Sequence, residues 1–351
     1  MYNVFVDFHH ASLLQSFIHL FEKRLGGAVY RPIGTEWFEK GFWKVYDHPA
    51  TVQQFLGIGA ATPDNSRPLN DVQSIEGGIY NCQDIDSGTT NKAITFDRFM
   101  QMKIDIVIAS LPYHIEPFKR LCELHPNKPK LIYQIGNAWT IEAGLAPNIM
   151  ASAKIAGVPE NINFIEYHQE FDTRIFRPDW FNDQPNQIIS SFVNVFNGQE
   201  HFKDDYNLFL EVERNMPDWK FESFGGQCRD GAIGPAEKLA SFMRTARFIW
   251  HTKAGGDGFG HIIHNAAAVG RPLIVKAEYY RGKMAEPLLK DGLTCITIDG
   301  LSINDIVNKI NHYNDPARYS NLCRTAYDNF TKVCDFDKEF IDLQHFLANL
   351  V

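Results

Sequence analysis

The first thirty residues alternate between two hydrophobic periods, and this alternation restricts the fold more than any other feature of the sequence. Residues 3–7 enclose a short apolar run that is typical of a buried strand. Apolar residues then recur at helical spacing over residues 12–25, and two glycines at 26–27 supply a stop before the next apolar run at 28–30. A strand, a helix and a strand with such tight joins predict a βαβ unit, and therefore a parallel sheet.

The same alternation returns later in the chain and divides it into two parts. Residues 34–91 are first aromatic and then rich in turn formers, and we expect an irregular insertion there. A polar, proline-bearing stretch at 178–186 interrupts the pattern, which restarts at once beyond it. The chain has 351 residues, enough for about two domains. We therefore predict an α/β protein with two doubly wound Rossmann-like domains, residues 1–180 and 181–351, the second ending in a helical closing segment.

Charge and composition exclude several classes of protein. The formal net charge is 34 − 42 = −8 and the pI is near 5.9. These values argue against a protein that binds nucleic acid mainly through electrostatic attraction to its phosphates. The sequence lacks both the basic start of a signal peptide and the roughly 18 consecutive apolar residues of a membrane span. Six scattered cysteines without a CxxC pair are typical of free thiols in a reducing compartment. We expect a cytoplasmic protein without stable membrane insertion.

A glycine-rich segment, AGGDGFGHIIHNAAAVGRPLIV at residues 254–275, carries the strongest functional signal. Glycines between a strand and a helix let a phosphate approach the backbone, where the helix N-terminus favours an anion. Gly258 and Gly260 stand where the helix is predicted to begin. The alternative is a turn that needs small residues only for packing. Cations that are close enough in sequence to share a phosphate charge are Lys253, Arg271, Arg281 and Lys283.

This segment resembles the nucleotide-binding core of GT-B glycosyltransferases of the glycosyltransferase 4-like group. There E-x-F-G opens a helix and E-A-x-A-x-G-x-P leads into the next strand. EFDTRIFRP at 170–178 resembles the hinge between the two domains of that family, and the similarity extends over about residues 160–335. The resemblance implies a GT-B fold whose two domains face a cleft, the N-terminal one for the acceptor and the C-terminal one for the nucleotide sugar.

The resemblance also implies an activity, that of a hexosyltransferase-type enzyme. Such an enzyme moves a sugar from a nucleotide-diphosphate donor, such as a UDP- or GDP-sugar, to a hydroxyl acceptor. It does so without a metal or another cofactor and with retention of anomeric configuration. Asp84-Ile85-Asp86 has the Asp-x-Asp spelling of metal-dependent transferases, but it lies in a turn-rich stretch, and we expect no metal site there.

The resemblance places the donor on the glycine-rich segment and on cations and polar groups around it. Asp257 stands where the family has its first glutamate, and Asn265 stands where it has the second, which holds the ribose hydroxyls. An amide still donates to and accepts from a hydroxyl, but without the strength of a charged partner. The early Arg and Lys pair of the family is missing, and Lys203 is the nearest substitute. The predicted donor-binding residues are Lys203, Lys253, Asp257, Gly258, Phe259, Gly260, His261, Asn265, Glu278, Arg281 and Lys283.

Three histidines are candidates for the catalytic groups. His9 and His10 follow the first predicted strand, and His114 follows the strand predicted at 104–110. Loops at the carboxyl ends of parallel strands line the ligand crevice of an α/β sheet. A histidine there serves as a general base on the acceptor hydroxyl or binds a sugar hydroxyl. The alternative for each is a loop histidine with structural hydrogen bonds.

Three other functions remain open at this stage. The first alternative is a glycosyltransferase that acts on hydroxymethylated pyrimidines of viral DNA. Such DNA ranks second as the acceptor, after a saccharide or other small molecule, because the sequence has no cluster of five basic residues. A non-catalytic GT-B-like binding protein is consistent with the two replaced glutamates. An NAD-dependent oxidoreductase is disfavoured, because no G-x-G-x-x-G follows the first strand and residues 255–260 are GGDGFG.

Overall fold

The computed structural model describes residues 1–7, 11–43, 70–84, 90–136, 146–180 and 185–351. Its strands are β1 (Asn3–Val6), β2 (Ala28–Pro32), β3 (Asn70–Glu76), β4 (Ile79–Asp84), β5 (Thr90–Ile94), β6 (Ile106–Ala109), β7 (Lys130–Ile135), β8 (Asn148–Ala151), β9 (Asn163–Glu166), β10 (Ile188–Ser191), β11 (Lys220–Ser223), β12 (Phe248–His251), β13 (Leu273–Val275) and β14 (Cys295–Thr297). Its α-helices are α1 (Ala11–Phe17), α2 (Glu36–Glu39), α3 (Phe96–Gln101), α4 (Ile115–Leu124), α5 (Lys203–Arg214), α6 (Ala236–Thr245), α7 (His261–Ala268), α8 (Ile303–Tyr313), α9 (Pro316–Val333) and α10 (Phe336–Ala348).

These elements form two compact units. Unit 1 comprises Met1–Phe171 and Phe336–Val351, and unit 2 comprises Asp172–Asp335. The sheet of unit 1 has the order β3-β4-β5-β2-β1-β6-β7-β8-β9, and that of unit 2 has the order β11-β10-β12-β13-β14. The chain passes from unit 1 to unit 2 inside the segment 170–178, where the sequence resembles an interdomain hinge.

The central strands of unit 1 are parallel because helical connections cover both faces of the sheet. Side chains therefore alternate between two apolar layers. Val4 and Val6 of β1 join a core cluster with residues of α1 and α10. Phe5 belongs to a second cluster, where its ring stacks on Trp37 of α2 at a centroid distance of 4.7 Å. This burial of the strands explains why the short runs 3–7 and 28–30 are almost wholly apolar.

Strands β3 and β4 form an antiparallel hairpin that extends the sheet of unit 1 beyond β5. The sequence analysis expected an irregular insertion with loops over 34–91, so the regular strands at 70–84 and helix α2 differ from that expectation. Gly77 and Gly78 make the turn, both with positive φ, 39° and 87°. A two-residue Gly-Gly turn between alternating side chains is a hairpin signal, and it was available in the sequence. Residues 44–69 of this insertion lie outside the described part of the chain.

Helix α10 belongs to unit 1, although the sequence analysis assigned the C-terminal helices to the second domain. Leu343, Phe346 and Leu347 are buried in the cluster that also contains Val4 and Val6. Polar contacts reinforce this packing, since Arg24 Nη2 lies 3.0 Å from the carboxylate of Asp337. An amphipathic helix carries an apolar face that suits either sheet, so its order in the chain does not reveal its partner.

The sheet of unit 2 is parallel throughout and is built from the repeat that the sequence indicated. Phe209 of α5 and Ile306 of α8 share a core cluster with Trp250 of β12 and Ile274 of β13. Helix α7 packs against β12, β13 and α9. All five strands point the same way, so the loops that follow β12 and β13 meet at one edge of the sheet. This edge is where open α/β sheets bind their ligands.

Two expectations about the whole chain can be compared with the structure. The six cysteines all lie in described residues, and each is a free thiol, as their spacing indicated. Burial raises the pKa of the Cys122 and Cys295 thiols to about 12, so both stay protonated and unreactive near neutral pH. Among the described residues, no helix combines the length and apolarity that crossing a bilayer requires.

Replacement of Phe346 tests the assignment of α10 to unit 1. Phe346→Ala removes a ring that is 5% exposed, and we expect the free energy of unfolding to fall by about 3–5 kcal/mol. Ile341→Ala on the same helix is the matched control, because Ile341 is 54% exposed and its loss should cost less than about 0.5 kcal/mol. Urea denaturation followed by tryptophan fluorescence measures both, and equal effects would contradict the packing of α10.

Candidate functional site in unit 2

The loop between β12 and α7 turns sharply on three glycines with positive φ: Gly255, Gly256 and Gly260, at 77°, 61° and 85°. A side chain at Gly256 is impossible without rearrangement, because its Cβ would lie 2.3 Å from the carbonyl oxygen of Tyr279. Gly260 is the N-cap of α7, and its carbonyl accepts from the N–H groups of Ile263 and His264 at 3.0 and 3.1 Å. The turn thus directs the N-terminus of α7 towards the carboxyl edge of the sheet, where a helix N-terminus is suited to an anion.

Asp257 lies at the centre of this turn and is contacted by three other side chains. The ammonium of Lys253 pairs with Oδ1. His251 Nε2 and the Tyr280 hydroxyl each lie 3.4 Å from Oδ2. Burial raises the pKa of the Asp257 carboxyl, but hydrogen bonding and charge from His251 and Lys253 outweigh burial and hold that pKa well below its usual range. Asp257 is therefore a carboxylate near neutral pH, and 24% of its side chain remains exposed.

Lys283 brings a second ammonium group to the same turn. Its Nζ donates to the carbonyl of Gly255 and lies 5.8 Å from the centre of the Tyr280 ring. Burial lowers the pKa of Lys283, the charge of Asp257 raises it, and that of Lys253 lowers it further, with a net decrease. Two lysines thus flank a glycine turn at a helix N-terminus, an arrangement suited to an anion with more than one negative charge.

A second charged cluster adjoins the first through consecutive tyrosines. Lys276, directly after β13, places Nζ 2.7 Å from Oδ1 of Asp205 and 3.1 Å from the Tyr279 hydroxyl. Asp205 is 2% exposed, and its Oδ2 has no hydrogen-bond partner. Tyr279 and Tyr280 share the 3-10 turn Ala277–Tyr280, and one contacts Asp205 while the other contacts Asp257. Residues 276–283 therefore connect the two clusters.

The remaining predicted donor residues occupy varied environments. Phe259 is buried, and its ring stacks on His264 at 4.1 Å and meets His261 edge-on at 4.8 Å. Asn265 is 7% exposed, and its Oδ1 has no hydrogen-bond partner. Gly258 is buried in the turn, whereas Glu278 and Arg281 are exposed on the segment after β13. Their roles towards a donor stay predictions.

Two cations from the sequence analysis have structural partners instead of positions on the turn. Lys203 begins α5, is 61% exposed and pairs with Glu200 at 3.1 Å. Arg271 is buried, and its guanidinium donates to the carbonyl of Arg244 at 2.7 Å. The structure therefore brings Lys253 and Lys283 to the turn and attaches Arg271 to the backbone of α6.

His114 in unit 1 is completely buried at the carboxyl edge of that sheet. Its Nδ1 lies 2.8 Å from Oδ2 of Asp7, which directly follows β1. The same carboxylate accepts from the N–H of Ser110 at 2.7 Å and from the Ser110 hydroxyl. The indole of Trp43 lies 4.4 Å from the imidazole, centre to centre. These contacts fix the ring firmly, and a catalytic role for His114 stays a prediction.

Some sequence predictions fall outside the described residues. They are the catalytic candidates His9 and His10, and Ile85 and Asp86 of the Asp-x-Asp spelling.

Conversely, the sequence analysis missed Asp7, His251 and Tyr280. Asp7 and His251 stand at the carboxyl ends of β1 and β12, so the positional rule that selected His114 would have selected them too.

Comparison with known proteins decides what this architecture is. No protein-family model and no curated protein matches the chain. Solved structures match it along its whole length, however. Anabaena HepE in complex with UDP has a TM-score of 0.63 at 12% identity, with 100% of both chains covered. A glycosyltransferase from Rickettsia africae has a TM-score of 0.61 at 9% identity, covering 99% of this chain and 98% of that one.

Sucrose-phosphate synthase from Thermosynechococcus elongatus is similar as well, with a TM-score of 0.58 at 10% identity, covering 100% of this chain and 99% of that one. The chain has the GT-B glycosyltransferase fold. This confirms the predicted α/β fold class. One of the similar structures is HepE in complex with UDP-glucose, with a TM-score of 0.63 at 11% identity, covering 98% of this chain and 100% of that one.

The network around Asp7 gives a stability prediction. Asp7→Ala removes the acceptor of Ser110 and His114, all within a buried site, so we expect the free energy of unfolding to fall by about 3–5 kcal/mol. Asp7→Asn retains one acceptor oxygen and should cost less than Asp7→Ala. Chemical denaturation of both variants measures the difference, and a neutral Asp7→Ala would show that these contacts do not stabilise unit 1.

Proposed function

We propose that this protein is a glycosyltransferase that moves a sugar from a nucleotide-diphosphate donor to a hydroxyl acceptor. The observation that carries the proposal is the glycine turn at the start of α7, flanked by the ammonium groups of Lys253 and Lys283. Such a turn suits a diphosphate, which presents several negative charges at short spacing. The crystal structures of HepE with UDP and with UDP-glucose support a UDP-sugar as the first donor to test.

In the proposed reaction the bond between the sugar and the diphosphate breaks, and negative charge develops on the leaving group. Lys253, Lys283 and the N-terminus of α7 lower the energy of that charge, because they are held in place before the reaction begins. We propose that the reaction is metal-independent and retains the anomeric configuration. The resemblance to glycosyltransferase 4-like enzymes supports both points.

The sugar and ribose of the donor, and the acceptor, also need contacts from the protein. Asp257 is a carboxylate with part of its surface exposed, and we propose that it accepts a hydrogen bond from a sugar hydroxyl. Asn265 has a buried amide oxygen without a partner, and we propose that it meets the ribose hydroxyls. Unit 1 is the proposed acceptor domain, with His9, His10 and His114 as candidate contacts. The acceptor is proposed to be a saccharide or another small molecule.

A ligand panel tests the donor. Thermal unfolding is followed with UDP, GDP, ADP, CMP, TDP and NAD, together with the corresponding sugar conjugates. A ligand at about 100 times its dissociation constant adds roughly 2.7 kcal/mol to stability. We expect stabilisation by one nucleoside diphosphate and by its sugar conjugate, with slow release of free sugar from the conjugate. Stabilisation by NAD alone would overturn the proposal.

Two further results of the panel separate binding from catalysis. Stabilisation without any release or transfer of sugar would favour a non-catalytic GT-B-like binding protein, and no stabilisation at all would contradict the donor site. Variants of Gly260 are poor probes, since its Cβ would lie 3.3 Å from Ala285 Cβ at a φ of 85°, which costs stability as well as binding. Lys283→Met removes the charge and the bond to the Gly255 carbonyl, but it places no side chain at a positive φ.

The lowered pKa of Lys283 predicts how donor binding depends on pH. The ammonium must be protonated to attract a diphosphate, so affinity is full below its pKa and is lost as pH rises through it. That loss should begin below the ordinary lysine value of 10.5. We expect UDP affinity to decline in the alkaline range, and Lys283→Met to bind weakly with a flatter profile. Lys332→Met, an exposed lysine of α9, should reproduce the wild-type profile.

A further inference from the structure

Three side chains contact the Asp257 carboxylate, and they differ in how easily they can move. Lys253 reaches it on a flexible four-carbon stem whose side chain is 31% exposed. His251 and Tyr280 are 1% and 0% exposed, and each is carried by rigid structure, the end of β12 and the 3-10 turn Ala277–Tyr280. Only Lys253 is therefore free to follow a new negative charge.

A diphosphate on the glycine turn would compete with Asp257 for Lys253. It carries more negative charge than one carboxylate, and Coulomb attraction at equal distance grows with that charge. As Lys253 turns to the diphosphate, Oδ1 of Asp257 loses its cation and becomes open to a sugar hydroxyl. Each carboxylate oxygen has two acceptor positions, so contacts to Oδ2 do not block this new bond.

The carboxylate still needs support when Lys253 has left. We propose that His251 and Tyr280 are positioning residues, which hold Asp257 through Oδ2 for the donor sugar while Lys253 binds the diphosphate. The inference rests on the proposed function and adds a division of labour between buried and exposed partners of one carboxylate. Neither positioning residue needs to touch the donor.

The chemistry of both groups suits this role. Burial, followed by the charge of Asp257, raises the pKa of Tyr280 well above its usual range, so its hydroxyl remains a donor. His251 Nε2 lies 3.4 Å from Oδ2, and both of its ring nitrogens are buried without a hydrogen-bond partner, so no other group competes for the imidazole. The contacts at 3.4 Å are long for hydrogen bonds, and such contacts tighten when a substrate binds. Two further charges face these residues: Lys283 interacts with Asp257, and Asp205 interacts with Tyr280.

Tyr280→Phe is the decisive variant, because it removes one hydroxyl and leaves the buried ring. We would measure dissociation constants of UDP and UDP-glucose by calorimetry with the full chain. Tyr280→Phe should leave UDP binding within about twofold and weaken UDP-glucose binding about tenfold, the usual effect of losing support for a charged hydrogen bond. Lys253→Met should weaken both ligands by similar factors, since both carry the diphosphate.

Tyr279→Phe is the matched control. It removes the neighbouring hydroxyl, which contacts Asp205 instead of Asp257, so the ratio of the two constants should not change. His251→Gln retains a donor and should fall between wild type and His251→Phe. In an Asp257→Asn background, Tyr280→Phe should no longer alter the ratio, because the group that it positions is already changed.

The outcomes separate this inference from the proposed function. A wild-type chain that binds neither UDP nor UDP-glucose would contradict both together. A wild-type chain that binds both, with a Tyr280→Phe variant that keeps the wild-type ratio, would overturn the positioning role alone. Equal weakening of both ligands by Tyr280→Phe would also overturn it, since that result indicates a general structural role.

Discussion

Two backbone segments of unit 2 approach so closely that only glycine fits between them, and the candidate site depends on this approach. Gly256 passes against the carbonyl of Tyr279, and a Cβ there would lie 2.3 Å from that oxygen. The approach attaches residues 276–283 to the loop after β12. It thereby brings Tyr280 and Lys283 to a turn that is more than twenty residues away in sequence. A bulkier residue at 256 would separate the turn from half of its polar partners.

The two carboxylates that contact Tyr279 and Tyr280 are each paired with a lysine. Asp257 has Lys253, and Asp205 has Lys276. A charge that is buried without a partner is expensive, so these pairs keep the polar edge of the sheet stable in the absence of ligand. The same pairing means that a bound anion must redistribute the existing pairs. Anion binding at this edge would therefore be coupled to local structure.

The sequence predicted those parts of the molecule that depend on local pattern. Periodicity located the βαβ units, and the glycine run located the turn before α7, since both signals lie within about twenty consecutive residues. The sequence pattern did not reveal that Tyr280 meets Asp257, or that His114 meets Asp7, because those contacts join segments that are 23 and 107 residues apart in the chain. The hairpin of β3 and β4 was missed for a different reason. Its Gly77-Gly78 signal lay in a stretch where turn formers dominate.

The return of α10 to unit 1 has a consequence for how the chain folds as it is synthesised. Unit 2 is one continuous stretch and is complete once Asp335 has been added. Unit 1 is not, because the core cluster that contains Val4 and Val6 also needs Phe346. Domains that are contiguous fold as units during synthesis. Here the half that is made first must wait for a segment that follows the second half, with one apolar face uncovered while the second half assembles.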